Sequence, residues 1–374
     1  MAIDDDVREI ENAGNPKRFA RGWHCLGLVD EFRDGRPHQV KAFGTSLVIF
    51  DTPEGLRALD GYCRHMGGNL ANGTIKGDSV ACPFHDWRWG GNGRCTGIPY
   101  AKRVPGVAKT RAWPAMERNG QFFVWHDPQR SQPTDTVTIP PIPGWDAGQW
   151  SSWSWQKFEV NGAHCREMVD NVVDMAHFFY VHMAFPHYFR NVFEGHVATQ
   201  YMHSRPRPDI DPEKSYGDED SILRSEASYY GPSYMINPQQ LEIGGQILDA
   251  VLINSHYPVT DNSFIINFGV ATKRQEGVTA EAARTVADSL TSALSYGFGQ
   301  DLEIWRDKAR IDNPLLTEQD GPVYQLRHWY EQFYVDIEDV TPSMTERIEV
   351  EIDTDHAVTS WKREVAENLL ATRS

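Results

Sequence analysis

The chain reads as an α+β protein: a small N-terminal β-domain, then a larger domain with a large antiparallel sheet and flanking helices. Three observations carry this expectation. Between Trp23 and Trp125, short apolar runs such as 46–50 and 121–125 are broken every few residues by Gly, Pro, Asn and Asp, the texture of short antiparallel strands and turns. Around 126–150 the chain is rich in Pro, Thr, Gln and Asp, including Asp127-Pro128 and Pro140-Pro141-Ile142-Pro143-Gly144, which marks a linker. Beyond it, strand-like runs at 225–230, 239–243, 246–257 and 263–270 precede a long helical pattern at 278–310. The expected division is an arm at 1–20, the β-domain at 21–128, the linker at 129–150 and the large domain at 151–374.

With 374 residues, 40% of them apolar and 11% aromatic, the chain can bury a large core. A net charge of −16 disfavours nucleic acid and anionic membranes, because phosphate recognition needs clustered Lys and Arg. It accords with docking a partner that carries a basic patch. No apolar run approaches the roughly 18 residues of a membrane span. The acidic start Met1-Ala2-Ile3-Asp4-Asp5-Asp6 lacks a signal-peptide pattern, so the expected location is the cytoplasm. Five cysteines (Cys25, Cys63, Cys82, Cys95, Cys165) are an odd count, which favours metal binding over a disulfide framework.

In chain order, residues 1–20 form a charged helix or arm. Cys63-Arg64-His65 and Cys82-Pro83-Phe84-His85 then lie in two Gly-rich loops of the β-domain. A Cys₂His₂ zinc site would use the same residue types, but zinc fingers pair Cys with Cys and His with His on a hairpin and a helix. Here each half mixes the two, as when two thiolates hold one iron of a cluster and two imidazoles the other. Cys25 and Cys95 fall outside this pattern and read as buried core thiols.

In the larger domain a strand is expected at 153–160. A helix N-capped by Asn161 follows, with Gly162-Ala163-His164 in its first turn, and carries Asn171-Val172-Val173-Asp174-Met175-Ala176-His177-Phe178-Phe179-Tyr180-Val181-His182. Two imidazoles and a carboxylate in an apolar run need a partner, and a metal ion is the simplest. Two His plus one carboxylate with open positions is the ligand set of non-haem Fe(II) oxygenases. A lone His in an apolar helix is more often a satisfied core residue; the Asn and Asp at this spacing and the neighbouring β-domain motif favour the metal. Asp174 and His177 share a helix face at i, i+3. His177 and His182 are separated by about 140° on a regular helix, so the helix must end, widen or bend between them if both bind one ion. Residues 185–220 read as irregular, on Phe185-Pro186, Arg205-Pro206-Arg207-Pro208-Asp209 and Asp218-Glu219-Asp220. Of the strand amides Asn254 and Asn267, one could face a polar substrate group; an ordinary sheet-end hydrogen bond is the alternative.

The missing carboxylate is expected from the long helix. Leu294, Phe298, Asp301 and Trp305 follow i, i+4, i+7, i+11, which places Asp301 in the apolar stripe; a half-buried salt bridge is the alternative. Glu303, Arg306, Asp307 and Arg310 form the solvated face, and Gly297 and Gly299 loosen the helix before Asp301. The segment 328–335 is expected as a strand or buried segment, and 350–370 as an amphipathic helix with Trp361, Val365 and Leu369 inward.

With these motifs assembled, the sequence resembles the oxygenase component of Rieske non-haem iron oxygenases over nearly its whole length; Trp87 and Pro99-Tyr100 also match the Rieske pattern. The short Asn-x-x-Asp spacing resembles members built as trimers of this one type of subunit. The run from Asn171 to His182, with Asn191-Val192-Phe193-Glu194-Gly195-His196, Gly231-Pro232-Ser233-Tyr234-Met235 and Asn313-Pro314-Leu315-Leu316, looks very like the 3-ketosteroid 9α-hydroxylases within that superfamily. The resemblance implies a helix-grip, START-like catalytic domain. It implies a [2Fe–2S] cluster on Cys63, His65, Cys82 and His85, a mononuclear Fe(II) on His177, His182 and Asp301, and O₂ as cosubstrate. Asp174 would link His177 to a cluster histidine of the neighbouring subunit, and Asn171 would sit near the iron without being a firm ligand. Gln200, Tyr229, Met235, Asn237, Asn254, Phe298 and Trp305 match positions lining the steroid pocket. The chain has no Gly-x-Gly-x-x-Gly dinucleotide fingerprint, so a separate NADH-dependent flavin/iron–sulfur reductase is implied. Two other readings compete: a Rieske monooxygenase acting on another polycyclic or aromatic ether, and a Rieske electron carrier fused to a lipid-binding module.

Overall fold

A computed structural model describes residues 8–210 and 220–371. The first part of the chain forms β1 (Gly22–Leu28), β2 (His38–Ala42), β3 (Thr45–Thr52), β4 (Gly55–Asp60), β5 (Thr74–Lys76), β6 (Ser79–Ala81), β7 (Arg88–Gly90), β8 (Cys95–Gly97), β9 (Ala112–Trp113), β10 (Ala115–Arg118) and β11 (Gln121–His126). They assemble as small sheets in the orders β1-β11-β10, β2-β3-β4-β9 and β5-β6-β7-β8. The apolar runs at 46–50 and 121–125 are strands, as expected, and are buried throughout. The arm preceding β1 is extended rather than helical. It adheres to the far end of the chain, where Glu11 N–H donates to Asn313 Oδ1 at 3.1 Å and Asp312 N–H to the Glu11 carbonyl at 2.8 Å.

The second part contains β12 (Ser154–Asn161), α1 (Arg166–Val169), α2 (Met175–Tyr180), β13 (Ala184–Glu194), β14 (Val197–Pro206), β15 (Ile222–Tyr230), β16 (Tyr234–Ile243), β17 (Gln246–Thr260), β18 (Ser263–Thr272), α3 (Ala280–Asp307), α4 (Val323–Glu331), β19 (Ile348–Glu351) and α5 (Asp355–Ala371). One eight-stranded antiparallel sheet runs β12-β18-β17-β16-β15-β14-β13-β19, a meander closed by β12 and β19 at its edges. α3 lies against β12 and β18, with its N-terminus capped by Thr279, whose hydroxyl accepts from Ala282 N–H at 3.1 Å. Phe298 and Trp305 are buried on that face, each contributing about 2–3 kcal/mol of apolar burial.

Five expectations are corrected. Asn161 does not cap a helix: it is the last residue of β12, paired with Ser263, and Gly162 at φ +90° turns the chain away. Residues 185–206 are not irregular but form the two long strands β13 and β14. Pro186 sits where the β13 register shifts, a bulge that tolerates a missing N–H, and the Pro206 repeat only ends β14. Of the Asp218-Glu219-Asp220 stretch, the first two lie outside the described residues. The 328–335 segment is buried but not a strand: its first half ends helix α4, where buried Leu326, Trp329 and Tyr330 keep helical spacing, and buried Phe333 follows in a turn. Residues 350–351 belong to edge strand β19, so the terminal helix starts only at Asp355. Arg310 lies beyond α3, facing inward: it pairs with Glu167 at 3.1 Å and Asp170 at 3.6 Å, while Lys308 reaches Glu167 at 3.0 Å and Arg327 reaches Asp170 at 2.7 Å. This network ties the α1 segment to the end of α3.

The two parts share one core. Trp23, Cys25, Phe123 and Trp125 pack with Tyr234, Ile253 and Trp329. The expected linker is docked into that core: Val137, Ile139 and Ile142 are buried, and Asn119 bonds Pro140 and Ile142. Asn267 is spent here too, donating Nδ2 to the Cys25 carbonyl at 2.9 Å. Cys25 is fully buried, as expected, whereas Cys95 is only half-buried.

Near this joint His24 and His126 both aim a ring nitrogen at the Ala20 carbonyl, at 3.2 and 3.1 Å. Burial pushes His24 down to about 3 and His126 down to about 4. Both are neutral in the folded chain at pH 7 and would return to about 6.5 on unfolding. Below that value the unfolded chain takes up protons that the fold refuses. Stability is therefore level above about pH 6.5, falls as pH drops toward 4, and levels off below about 3, each histidine adding a slope of up to about 1.4 kcal/mol per pH unit. Denaturant midpoints at pH 7 and pH 5 should differ more for the natural chain than for His24→Gln; equal differences would remove His24 from this account.

Candidate active site

Two separate clusters of ligand-type side chains emerge. In the β-domain, the loops carrying Cys63-x-His65 and Cys82-x-x-His85 close in parallel fashion. Cys63 N–H donates to the Gly68 carbonyl (2.8 Å) and Gly67 N–H to the Cys63 carbonyl (2.9 Å); Cys82 N–H donates to the Trp87 carbonyl (2.9 Å) and Asp86 N–H to the Cys82 carbonyl (3.0 Å). The thiols are buried, Cys63 accepting from Trp89 Nε1–H at 3.3 Å. Burial pushes the Cys63 thiol up, so a cation is needed to hold it as thiolate. The His65 and His85 rings lie 4.8 Å apart at the rim, and His65 stacks on Trp87 at 4.5 Å, itself pinned by Nε1–H donation to Tyr100 Oη at 2.7 Å. His85 Nδ1 is buried with no partner, and a Cβ on Gly68 would stand 2.7 Å from Cys82 Sγ. A free imidazole nitrogen, two adjacent thiols and a loop without room for a side chain fit a bound [2Fe–2S] group.

The second cluster is in the larger domain. The run from Asn171 to His182 is not one helix: a 3₁₀ turn (Asp170–Val172) precedes the short helix α2. Asp174 caps α2, its Oδ1 accepting from His177 N–H at 3.2 Å. The same residue's carbonyl meets His177 Nδ1, which fixes the ring and leaves Nε2 free for a ligand role. The expected break between the two histidines is present. His177's carbonyl accepts from Val181 N–H (2.7 Å) and also from His182 N–H (3.3 Å), the wider i→i+5 closure, and Met183 then takes φ +55°. α2 ends at Tyr180, and His182 swings back until its ring is 4.9 Å from that of His177.

Asp301 completes the group. Its Oδ2 lies 3.2 Å from His182 Nε2, and one ligand atom from each of His177, His182 and Asp301 falls within 4.8 Å of the others. Burial and the neighbouring His182 push His177 down to about 3, so its ring is neutral, as a metal ligand must be. Two neutral-capable imidazoles and one buried carboxylate, with space beside them, fit a mononuclear iron with open positions. Asn171 Nδ2 makes a long 3.4 Å contact to Asp301 Oδ1. Gly297 does not loosen α3, which is helical throughout; it makes room, because a Cβ there would stand 2.8 Å from His182 Nδ1. Gly299 has open space around it.

A cavity of about 1170 Å³, counting its open mouth, adjoins these ligands. Gln200, Tyr229, Met235, Asn237, Asn254, Phe298 and Trp305 all line it. Gln200 also serves the backbone: its Nε2 and that of buried Asn191 (Nδ2) both donate to the Val172 carbonyl at 2.9 Å, holding the turn that carries Asn171. Ser225 and Gln239 line the cavity too and were not foreseen. The signal was available, since Ser225 and Gln239 continue the period-2 face of Tyr229 and of Met235 and Asn237.

Comparison with known proteins agrees with this geometry. Residues 22–109 match the Rieske [2Fe-2S] domain, and residues 124–334 match the 3-ketosteroid 9alpha-hydroxylase C-terminal domain. A 3-ketosteroid-9-alpha-monooxygenase oxygenase component of Rhodococcus rhodochrous is 59% identical, covering 98% of this chain and 95% of its own. The protein of that name in Mycobacterium tuberculosis is 53% identical over 97% and 94%. Among solved structures, Pseudomonas putida CBB5 NdmA with caffeine superposes with a TM-score of 0.67 at 16% identity, covering 90% and 97%. Dicamba monooxygenase bound to dicamba gives 0.61 at 18%, covering 84% and 97%.

Proposed function

The chain belongs to the family of 3-ketosteroid 9α-monooxygenase oxygenase components, and from that membership we propose how its residues carry out the reaction. As a member it is a Rieske-type oxygenase with one [2Fe–2S] cluster and one mononuclear iron, and it works with a separate reductase on a steroid. In the reaction, one atom of O₂ enters the C9–H bond of a 3-ketosteroid and the other leaves as water. The observation that carries the site assignment is the convergence of His177, His182 and Asp301 on one mixed apolar and polar cavity. An electron carrier fused to a lipid-binding module would have no use for that convergence.

Cys63, His65, Cys82 and His85 would hold the cluster, and His177, His182 and Asp301 the iron; bound there, the two would supply an electron each and the site for O₂ activation. The chain's own tasks are positional. Phe298 and Trp305 wall the steroid rings, Asn254 and Asn237 offer amides to its oxygens, and the Asp174 carbonyl keeps the His177 ring turned toward the iron. Asp174's carboxylate, 46% exposed, joins His177 to a cluster histidine of a neighbouring subunit in a homotrimer. The reductase is an NADH-dependent flavin/iron–sulfur protein. Five unpaired cysteines support a reducing, cytoplasmic setting. We keep the division 1–20, 21–128, 129–150 and 151–374, the third segment being a docked strap.

The test is a substrate panel with a matched reductase, NADH and ¹⁸O₂, covering 4-androstene-3,17-dione, 1,4-androstadiene-3,17-dione, a steroid coenzyme A thioester and an aromatic ether. A 9α-hydroxylated steroid carrying one labelled oxygen is expected. Turnover of the ether with every steroid recovered unchanged would move the chain to the other monooxygenase reading.

A further inference from the structure

The sheet floor of the cavity is polar at two ends, and only one of them was read from the sequence. Strand register gives the rows. In the first, Tyr229 pairs with Met235, Met235 with Asn254 and Asn254 with Phe268. Four residues further along β15, Ser225 pairs with Gln239 of β16 and with Met202 of β14. The two rows are separated by about 13 Å along the strands, less the reach of the side chains from either end. Between them lies a middle row in which Asn237 pairs with Leu252, and Ala227 and α3's Leu294 and Phe298 also line the cavity there.

The second end is built of polar groups that the protein leaves unused. Ser225, Gln239 and Asn237 are 7, 7 and 8% exposed. Ser225 Oγ and Asn237 Oδ1 are buried with no hydrogen-bond partner, and Gln239, paired with Ser225 across the strands, lines the same cavity. Asn254 Oδ1 is likewise unpartnered at the first end. Buried polar groups are ordinarily satisfied, so the three idle atoms on Ser225, Asn237 and Asn254 of the adjacent strands β15, β16 and β17, all lining one cavity, point to a ligand that satisfies them.

We propose that Ser225 and Gln239, with Asn237, form a second polar subsite. It hydrogen-bonds an oxygen function at the end of the steroid remote from the oxygen held at Asn254. The donors suit a carbonyl: the Ser225 hydroxyl and the Gln239 amide N–H groups can both donate to one acceptor, while Asn237 Oδ1 accepts from a hydroxyl if the oxygen is reduced. The subsite selects steroids oxygenated at both ends over those ending in hydrocarbon, because the unoxygenated analogue leaves its groups unpaired. This rests on the steroid reading above.

The experiment is equilibrium binding of two radiolabelled steroids to the purified full chain, with the cluster absorbance checking the fold of each variant. The probes are 4-androstene-3,17-dione and 4-androsten-3-one, which differ only at the C17 oxygen. The natural chain should bind the dione about tenfold more tightly, and Ser225→Ala and Gln239→Leu should each weaken the dione about five- to tenfold while leaving the mono-ketone within about twofold. Equal weakening of both ligands, or of neither, overturns the subsite. If the natural chain binds both steroids equally, the subsite falls and the steroid reading survives; if it binds neither, both fall.

Discussion

Asp301→Ala should lose the mononuclear iron and keep the cluster. Iron analysis should fall from three per chain to two, while the visible spectrum of the [2Fe–2S] group stays as in the natural protein. Steroid hydroxylation should drop on the order of 10³-fold, since the ion supplies several kcal/mol and each 1.4 kcal/mol is a factor of ten. The reasoning is geometric. Asp301 is buried on the cavity side of α3, 3.2 Å from His182, and among the described residues no Lys or Arg pairs with it. A purely structural Asp301–His182 pair would predict a different outcome: lowered stability with all three irons retained. Gly297→Ala gives an independent reading of the same site. Its new Cβ would stand 2.8 Å from His182 Nδ1, so His182 must leave its position, and the same iron should be lost without touching a ligand. Full iron and activity in Asp301→Ala would remove the carboxylate from the ligand set.

How much of this was legible beforehand follows from the kind of signal each element gives. The candidate ligands could be picked out because metal chemistry constrains residue type and spacing together. Two imidazoles five apart cannot share an ion on a regular helix, and the i→i+5 closure at His182 is the physical form that constraint takes. Asp301 was readable because a carboxylate in an apolar helical stripe is anomalous. Local propensity misled where tertiary context decided. Pro186 looked like a strand breaker, yet it sits at a bulge in β13. Arg310 looked solvated by periodicity, yet α3 ends before it and Glu167 draws it inward. Asn161 has good capping chemistry, but its backbone is committed to β18. Gly297 could not be interpreted from sequence at all, because the atom that excludes a side chain belongs to a residue more than a hundred positions away.

Asp174→Asn should separate the capping job that this side chain performs from the electron-path role proposed for it. Asn caps a helix about as well as Asp, so the bond to His177 N–H and the shape of α2 should persist. Iron content and the cluster spectrum should therefore match the natural chain. What is lost is the exposed charge beside His177, and steady-state hydroxylation should fall about 10²-fold, the upper range for losing a partner of a metal-bound histidine. Within one chain no hydrogen bond among the described residues joins Asp174 to His65 or His85, and the proposed path through Asp174 would run to a second copy. That makes a complementation test decisive. Asp174→Asn chains, at about a hundredth of natural activity, and inactive His65→Ala chains are assembled into mixed trimers from equal amounts. If electrons cross between subunits, about a quarter of the interfaces place an intact cluster against an intact Asp174, and activity returns in proportion. If electrons travel within a chain, every chain in the mixture lacks one part and no activity returns. Recovery of trimers with a full complement of mononuclear iron but no activity above that of Asp174→Asn alone would eliminate the cross-subunit path.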